Sequence, residues 1–468
     1  LSLRTSSAGL PSTLKSIPLT PPRRADPRQS IKSLWQCVFL IKRNLMGENK
    51  EHYVREPGRD FCRKRKLPFE TMLATILGMG GSSLTNELLD CFGCAEDVAS
   101  TPAFIQQRSK ILPKAFESLF RSFAQIRTGQ HLYKDYQLLA IDGSDLLCAP
   151  NKTDPDSYFP GANGQRPYNL LHLNALYDLL QHTYLDAVIQ KRRCQNEHTA
   201  LVDMVDRSPV QQAILLADRG FESYNNLAHI QEKGWKYLIR IKNGKPGIIC
   251  GFDLPDSGEF DLFFPLLLFR RNTREAKALS QDKNRYRYVH NNSRFDFLPT
   301  TTRKHDPFFF YELPIRIIRF KIANDTSETI VTNLDADDFP PGEVKRLYAL
   351  RWGIETSFRD LKYTIGLLHF HSKKPEYLFQ EIFARLTMYN FSELITSTIT
   401  LQQADRKYCY KVNFSVAAYI CRKFFHGNIS SDSINILLSK FISPIRPGRK
   451  RPRKMCIRPN ICFVYRVA

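Results

Sequence analysis

Tyr136-Gln-Leu-Leu-Ala-Ile-Asp142-Gly-Ser-Asp145 is the stretch that decides the fold class. Leu138 to Ile141 form a continuous apolar run, as in a strand covered on both faces, and the run leads into Asp142 and a glycine turn. Ala213-Ile-Leu-Leu-Ala-Asp218-Arg-Gly220-Phe221 repeats the pattern of apolar run, aspartate and glycine turn. A carboxylate at the end of a buried strand lies at the sheet edge, within reach of a substrate. Such aspartates also commonly do no more than cap the next turn. Working outward, strands are expected near 137–142, 170–177, 183–190, 213–218 and 235–242, with helices near 196–207 and 223–233. That is an α/β pattern.

A third segment carries chemistry. In Tyr348-Ala-Leu-Arg351-Trp-Gly-Ile-Glu355-Thr-Ser-Phe-Arg-Asp-Leu-Lys362, a helix of ~100° per residue puts Tyr348, Arg351, Glu355 and Lys362 within ~60° of one another. Arg359 lies close by. A stripe with an aromatic, several cations and one carboxylate suits a solvated face, or an acidic polymer together with a metal ion. Glu355 is its only group able to ligate a hard cation. Two other acids compete for attention. Asp145 reads as a turn residue bonding backbone, and Asp178, at the end of Leu170-Leu-His-Leu-Asn-Ala-Leu-Tyr177, also reads as a turn residue.

The spacing of Tyr348, Arg351, Glu355 and Lys362 resembles the Tyr-Arg-Glu-Lys signature of one group of bacterial insertion-sequence DDE transposases. Asp142-Gly-Ser and Asp218-Arg-Gly-Phe are similar to that family's first and second carboxylate motifs. The resemblance spans roughly 60–405 and implies a ribonuclease-H-like catalytic core with Asp142, Asp218 and Glu355 as catalytic and metal-binding triad. It further implies two Mg²⁺ ions (Mn²⁺ able to substitute), Asp142 as the bridging ligand, and Tyr348, Arg351 and Lys362 on DNA. The implied activity is cut-and-paste: cleavage at element ends and strand transfer into target DNA. The implied partners are double-stranded DNA, as terminal inverted repeats and target, and a second copy in a synaptic homodimer. A metal-dependent nuclease on the same fold and a domesticated DNA-binding protein are the alternatives; the intact triad argues against the latter.

Composition agrees with a nucleic-acid partner. The 468 residues carry 68 Lys+Arg against 46 Asp+Glu, a formal charge of +22, and 43% are apolar. Such an excess points to nucleic acid or an anionic membrane surface, and the apolar content excludes global disorder. No run reaches the ~18 apolar residues of a transmembrane helix, and residues 1–30 hold no apolar core of a secretory signal. The expected setting is the bacterial cytoplasm, without a membrane partner. Its 11 cysteines, odd in number and scattered, fit reduced thiols. Cys91 and Cys94 lack a second pair to complete a zinc site.

The expected organisation begins with a flexible leader over 1–30. A helical DNA-binding domain comes next, over 31–130, with the basic block Arg63-Lys64-Arg65-Lys66 before its helices. The catalytic domain covers 131–405 and includes a β-rich insertion over 243–328. Arg270, Arg271, Arg274, Arg285, Arg287, Arg316 and Arg319 of that stretch could line a DNA track, although singly each reads as a surface charge. Pro341 is placed for the first turn of the signature helix. The C-terminal region, 406–468, ends in a basic tail with six cations over 446–454.

Overall fold

A computed structural model of the chain describes residues 50–63, 66–126, 131–161, 164, 166–242, 247–271, 273–300, 308–323, 326–399, 401 and 408–445. The leader over 1–30, Lys64, Arg65 and the basic tail lie outside the described residues.

The described chain opens on helices α1 (Phe69–Gly78), α2 (Leu84–Cys91), α3 (Thr101–Arg108) and α4 (Pro113–Ala124). Ser83 caps α2 by accepting from Asn86 N at 3.3 Å, as its place before the apolar run predicts. In α4, Phe116, Leu119, Phe120 and Phe123 fall on one buried stripe at helical spacing.

The α/β expectation holds. The strands are β1 (Gln137–Cys148), β2 (Tyr158–Phe159), β3 (Tyr168–Asp178) and β4 (Thr183–Lys191). Helix α5 (Glu197–Asp206), β5 (Ala213–Ala217), α6 (Tyr224–Glu232) and β6 (Lys236–Arg240) come after them. Next are β7 (Phe260–Phe269), α7 (Arg274–Leu279), β8 (Tyr286–Tyr288), β9 (Tyr311–Ala323) and β10 (Thr326–Thr332). All ten strands join one sheet, ordered β2-β3-β1-β5-β6-β10-β9-β7-β8 with β4 also beside β3. β1, β5 and β6 run parallel, while β3 and β10 flank them antiparallel. Side chains alternate between the two faces. Leu138, Ala140, Ile214 and Leu216 join the apolar cluster on one face, and Leu139, Ile141, Leu215 and Ala217 join that on the other.

Helix α8 (Pro341–Leu350), α9 (Trp352–Arg359) and α10 (Pro375–Ser397) pack into the first cluster together with α1 and α4; α5 and α6 pack into the second. The sheet is therefore covered on both faces. The segment β11 (Tyr410–Val412), α11 (Phe414–Phe425), α12 (Ser431–Lys440) and β12 (Ile442–Pro444) closes the described chain, with α11 against α10.

Some local expectations change. β1 does not end at Asp142: it continues through Gly143 to Cys148, with Gly143 opposite Asn174 and Asp145 opposite His172 on β3. The glycine turn after Asp142 is absent because this pairing is unbroken. Asp145 accordingly lies in a strand, whereas Asp178 does hold the turn after β3, accepting from Leu180 N and Gln181 N at 2.9 Å. The signature helix is broken at Arg351 and finishes in a π-helical turn, Asp360–Thr364. An inserted π turn shifts the helical phase of the residues beyond it, so the expected straight stripe is not continuous.

The β-rich stretch does not build a separate sheet. β10 pairs with β6 at Ile330 opposite Arg240, and β9, β7 and β8 extend outward from there. Its arginines mostly serve this fold. Arg270 is buried and donates to the carbonyls of Ser293 (2.8 Å) and Phe295 (3.1 Å). Arg316 is buried against Asp261 (2.7 and 2.6 Å) and the Phe339 carbonyl (2.8 Å). Arg287 and Arg319 donate to the carbonyls of Cys250 and Pro255, each at 2.9 Å. These four staple loops to strands instead of lining an open track. Arg274 and Arg285 are exposed.

Candidate active site

Strand register brings the first two predicted acids together. Ile141 on β1 is level with Ala217 on β5, and Ala217 is level with Ile239 on β6. The next residue on each strand is Asp142, Asp218 and Arg240, so these stand side by side across neighbouring strands ~4.8 Å apart. Alternation directs the Asp142 side chain to the face of Leu138 and Ala140, the face that α9 covers. Glu355 lies on α9, whose Ile354 and Phe358 anchor the helix in that cluster. Asp142, where the pairing of β1 with β5 stops, and Asp218, just past β5, thus stand side by side, and Glu355 on the covering helix is near enough to act on Asp142 electrostatically.

Their electrostatics agree. Burial raises the Asp142 carboxyl; Arg351 and the Gly143 N–H lower it, while Glu355 and Asp218 push it up again, to about 6. Asp142 accepts from Gly143 N at 2.9 Å. Asp218 caps the short turn Arg219–Phe221, accepting from Arg219 N at 2.7 Å, and also pairs with Arg240 Nη2 at 2.6 Å. Glu355 pairs with Arg351 at 2.9 Å. Among the described residues no three His, Cys, Asp or Glu side chains already form a ready-made cation cradle. Two of the three acids are held by arginines instead. The donor set nonetheless fits a hard divalent ion: three carboxylates, with burial and the charges of Glu355 and Asp218 working against the ionised form of Asp142, a charge that a cation would relieve.

Tyr348 and Arg351 are each only 4% exposed, so they are not presented to a duplex as the continuous stripe implied. The Tyr348 hydroxyl donates to the Ala217 carbonyl at 3.4 Å, directly behind Asp218. The Arg351 guanidinium stands 5.7 Å from the centre of the Tyr348 ring and 5.4 Å from that of the Trp352 ring. Burial works against its charge, but Tyr348, Asp218, Glu355 and Asp142 outweigh it and hold the guanidinium above its ordinary range. Lys362 Nζ donates to the Asp145 carbonyl at 2.8 Å. Burial lowers its pKa, opposed by Asp145 and Asp142, so it borders the acid row. Arg63 is exposed, and Lys66 pairs with Asp97 at 3.0 Å.

Sequence reasoning missed a second cluster on the opposite face of β1. His172 lies between Asp145 (Nδ1 to Oδ1, 2.6 Å) and Glu197 of α5 (Nε2 to Oε1, 2.9 Å). Burial lowers the imidazole, but the two carboxylates raise it to about 9. The only signal was one histidine within the apolar run Leu170–Tyr177. The cluster crosses directly over Gly143. A Cβ there would fall well inside contact distance of His172 Nε2 and 2.9 Å from Glu197 Oε1. Because both partners pin His172, it cannot swing away cheaply. Gly143→Ala is therefore expected to destabilise the protein by about 1–3 kcal/mol, as overpacking does, and to lower activity by moving Asp142. Urea unfolding beside a cleavage assay checks this; wild-type values in both would contradict it.

The chain is similar to known proteins. A family model described as "Transposase DDE domain" matches residues 133–391, more than half of the chain. The chain is 24% identical over 351 residues to "Transposase InsG for insertion sequence element IS4" from Escherichia coli (strain K12), covering 72% of this chain and 71% of that protein. A solved structure of the piggyBac transposase synaptic complex with hairpin DNA aligns over 91% of this chain and 87% of its own, at 11% identity and a TM-score of 0.43.

Proposed function

The chain belongs to the transposase DDE-domain family, and from that premise we propose that it cuts double-stranded DNA at the terminal repeats of its own element and joins the freed ends to target DNA. The observation that supports this reading best is the pair of Asp142 and Asp218 side by side where the pairing of β1 with β5 stops, with Glu355 on the helix α9 that packs on β1. On this reading β1, β3, β4, β5 and β6 with their helices form a ribonuclease-H-like core.

Asp142, Asp218 and Glu355 would hold two Mg²⁺ ions. When bound, such a pair supplies activation of the attacking oxygen and stabilisation of the leaving oxygen. The remaining chemistry is positional. Tyr348 fixes the strand end that carries Asp218, and Arg351 holds Glu355 at the proper turn of α9. Lys362 stands beside Asp142 as a point charge for a phosphate flanking the scissile bond. The exposed Arg63, and the large positive charge of the whole chain, would grip the duplex away from the cut. Two ends must meet for insertion, so two copies of the chain would act together.

The direct test incubates the full chain with DNA carrying the element's ends and a target plasmid, with Mg²⁺ or with chelator. Cleaved ends and joined products in Mg²⁺ alone are expected; products insensitive to chelation would overturn the reading. Lys362→Ala is expected to weaken binding of end DNA and to reduce the magnitude of the log affinity against log salt slope by about 1, the loss of one phosphate contact. An unchanged slope would remove Lys362 from the DNA.

A further inference from the structure

Arg240 was not foreseen from the sequence and belongs to none of the motifs, yet it completes the row at the strand ends. It is next to Asp218 in register on β6, and its side chain bridges two acids: Nη2 to Asp218 at 2.6 Å and Nη1 to Glu328 of β10 at 3.0 Å. Across the sheet the charges alternate as Asp142, Asp218, Arg240, Glu328. The guanidinium pairs with Asp218 Oδ1, the oxygen that also accepts from Arg219 N, and a divalent ion taken by the same carboxylate would meet its repulsion. Glu328 offers the guanidinium a second acceptor one strand farther from Asp142.

We propose that Arg240 is a displaceable internal cation of the acid row. It holds Asp218 until a divalent ion arrives, then passes wholly to Glu328, and so sets how tightly the row takes that ion. The inference rests on the reading of Asp142, Asp218 and Glu355 as ion ligands. It accounts for three acids converging without a ready-made cradle among the described residues, since one of them is occupied by Arg240 and another by Arg351.

The test is binding of Mn²⁺ alone to the full chain, read from the free-ion signal in electron paramagnetic resonance. Arg240→Gln keeps a hydrogen-bonding side chain but removes the competing charge, and is expected to tighten Mn²⁺ binding about fivefold or more. Glu328→Gln leaves the guanidinium with Asp218 as its only charged partner of the two, and is expected to weaken binding by a similar factor. Unchanged or weaker binding in the first, or unchanged or tighter binding in the second, overturns the proposal. If Arg240→Gln does not fold, Glu328→Gln decides alone. Asp142→Asn separates the two readings. If it binds Mn²⁺ like the wild type, the acid row is not the ion site. If it loses binding while the Arg240 and Glu328 variants match the wild type, only the role of Arg240 falls.

Discussion

Asp142→Asn is expected to lower Mg²⁺-dependent cleavage of end DNA by roughly 10³-fold or more, while end binding stays close to wild type. The substitution is isosteric and leaves the pairing of β1 with β3 and β5 intact. It removes the carboxylate that stands beside both other acids. Ion-assisted chemistry supplies several kcal/mol of barrier lowering, and each ~1.4 kcal/mol lost costs a factor of ten. Binding, by contrast, is spread over many phosphate contacts and does not depend on one acid. Neutralising an acid that burial and two acidic neighbours already disfavour should not unfold the chain, so its melting temperature should be at or above the wild-type value. Glu355→Gln should behave alike in cleavage. Wild-type rates in either variant would dismiss the triad.

Arg108→Ala should have the largest effect on stability. Arg108, at the end of α3, is 1% exposed and reaches into α10 through every arm of its guanidinium. Nε donates to Gln380 Oε1 at 2.8 Å, Nη1 to Glu381 Oε1 at 2.9 Å and Nη2 to the Tyr377 carbonyl at 2.8 Å. Removing it leaves the buried Gln380 amide oxygen without that donor and the Glu381 carboxylate held through His371 alone among its hydrogen-bond donors, a loss of about 3–5 kcal/mol. Pairing Arg108→Met with Glu381→Met should recover only part of that loss, because the buried Arg385 and His371 then lose the Glu381 carboxylate. Burial raises the Glu381 carboxyl, but Arg108, His371 and Arg385 together bring it down to about 2. A depressed carboxyl stabilises the fold above its unfolded value, near 4.5, and that contribution fades as pH falls toward 2. Urea titrations of single and double variants measure both effects. A loss under about 1 kcal/mol in Arg108→Ala would show that the network carries little.

The strands and the two aspartates were legible because buried parallel strands are written as unbroken apolar runs, as in Leu138–Ile141 and Ala213–Ala217. The N-cap Ser83 and the first-turn Pro341 were equally local and equally readable. The features that escaped depend on pairing between distant segments. Gly143 reads as a turn unless one knows that His172 crosses over it. Arg240 reads as the end of a strand unless its register with Asp218 is known. The π turn after Arg359 has no plain local signal, so a straight helical count misplaced Lys362, while the burial of Tyr348 and Arg351 depends on packing against distant strands that no local count shows. The arginines of the β-rich stretch misled because charge alone does not say whether a guanidinium meets solvent or the carbonyls of its own loops.

The unbroken hydrogen-bonded ladder from β3 to β8 has a mechanical consequence. The outer strands join the core through β10, which pairs with β6 and ties Glu328 to Arg240. The path from the far rim to the central carboxylates is one of successive strand pairings. A load on that rim would thus be felt where the bond is to be cut.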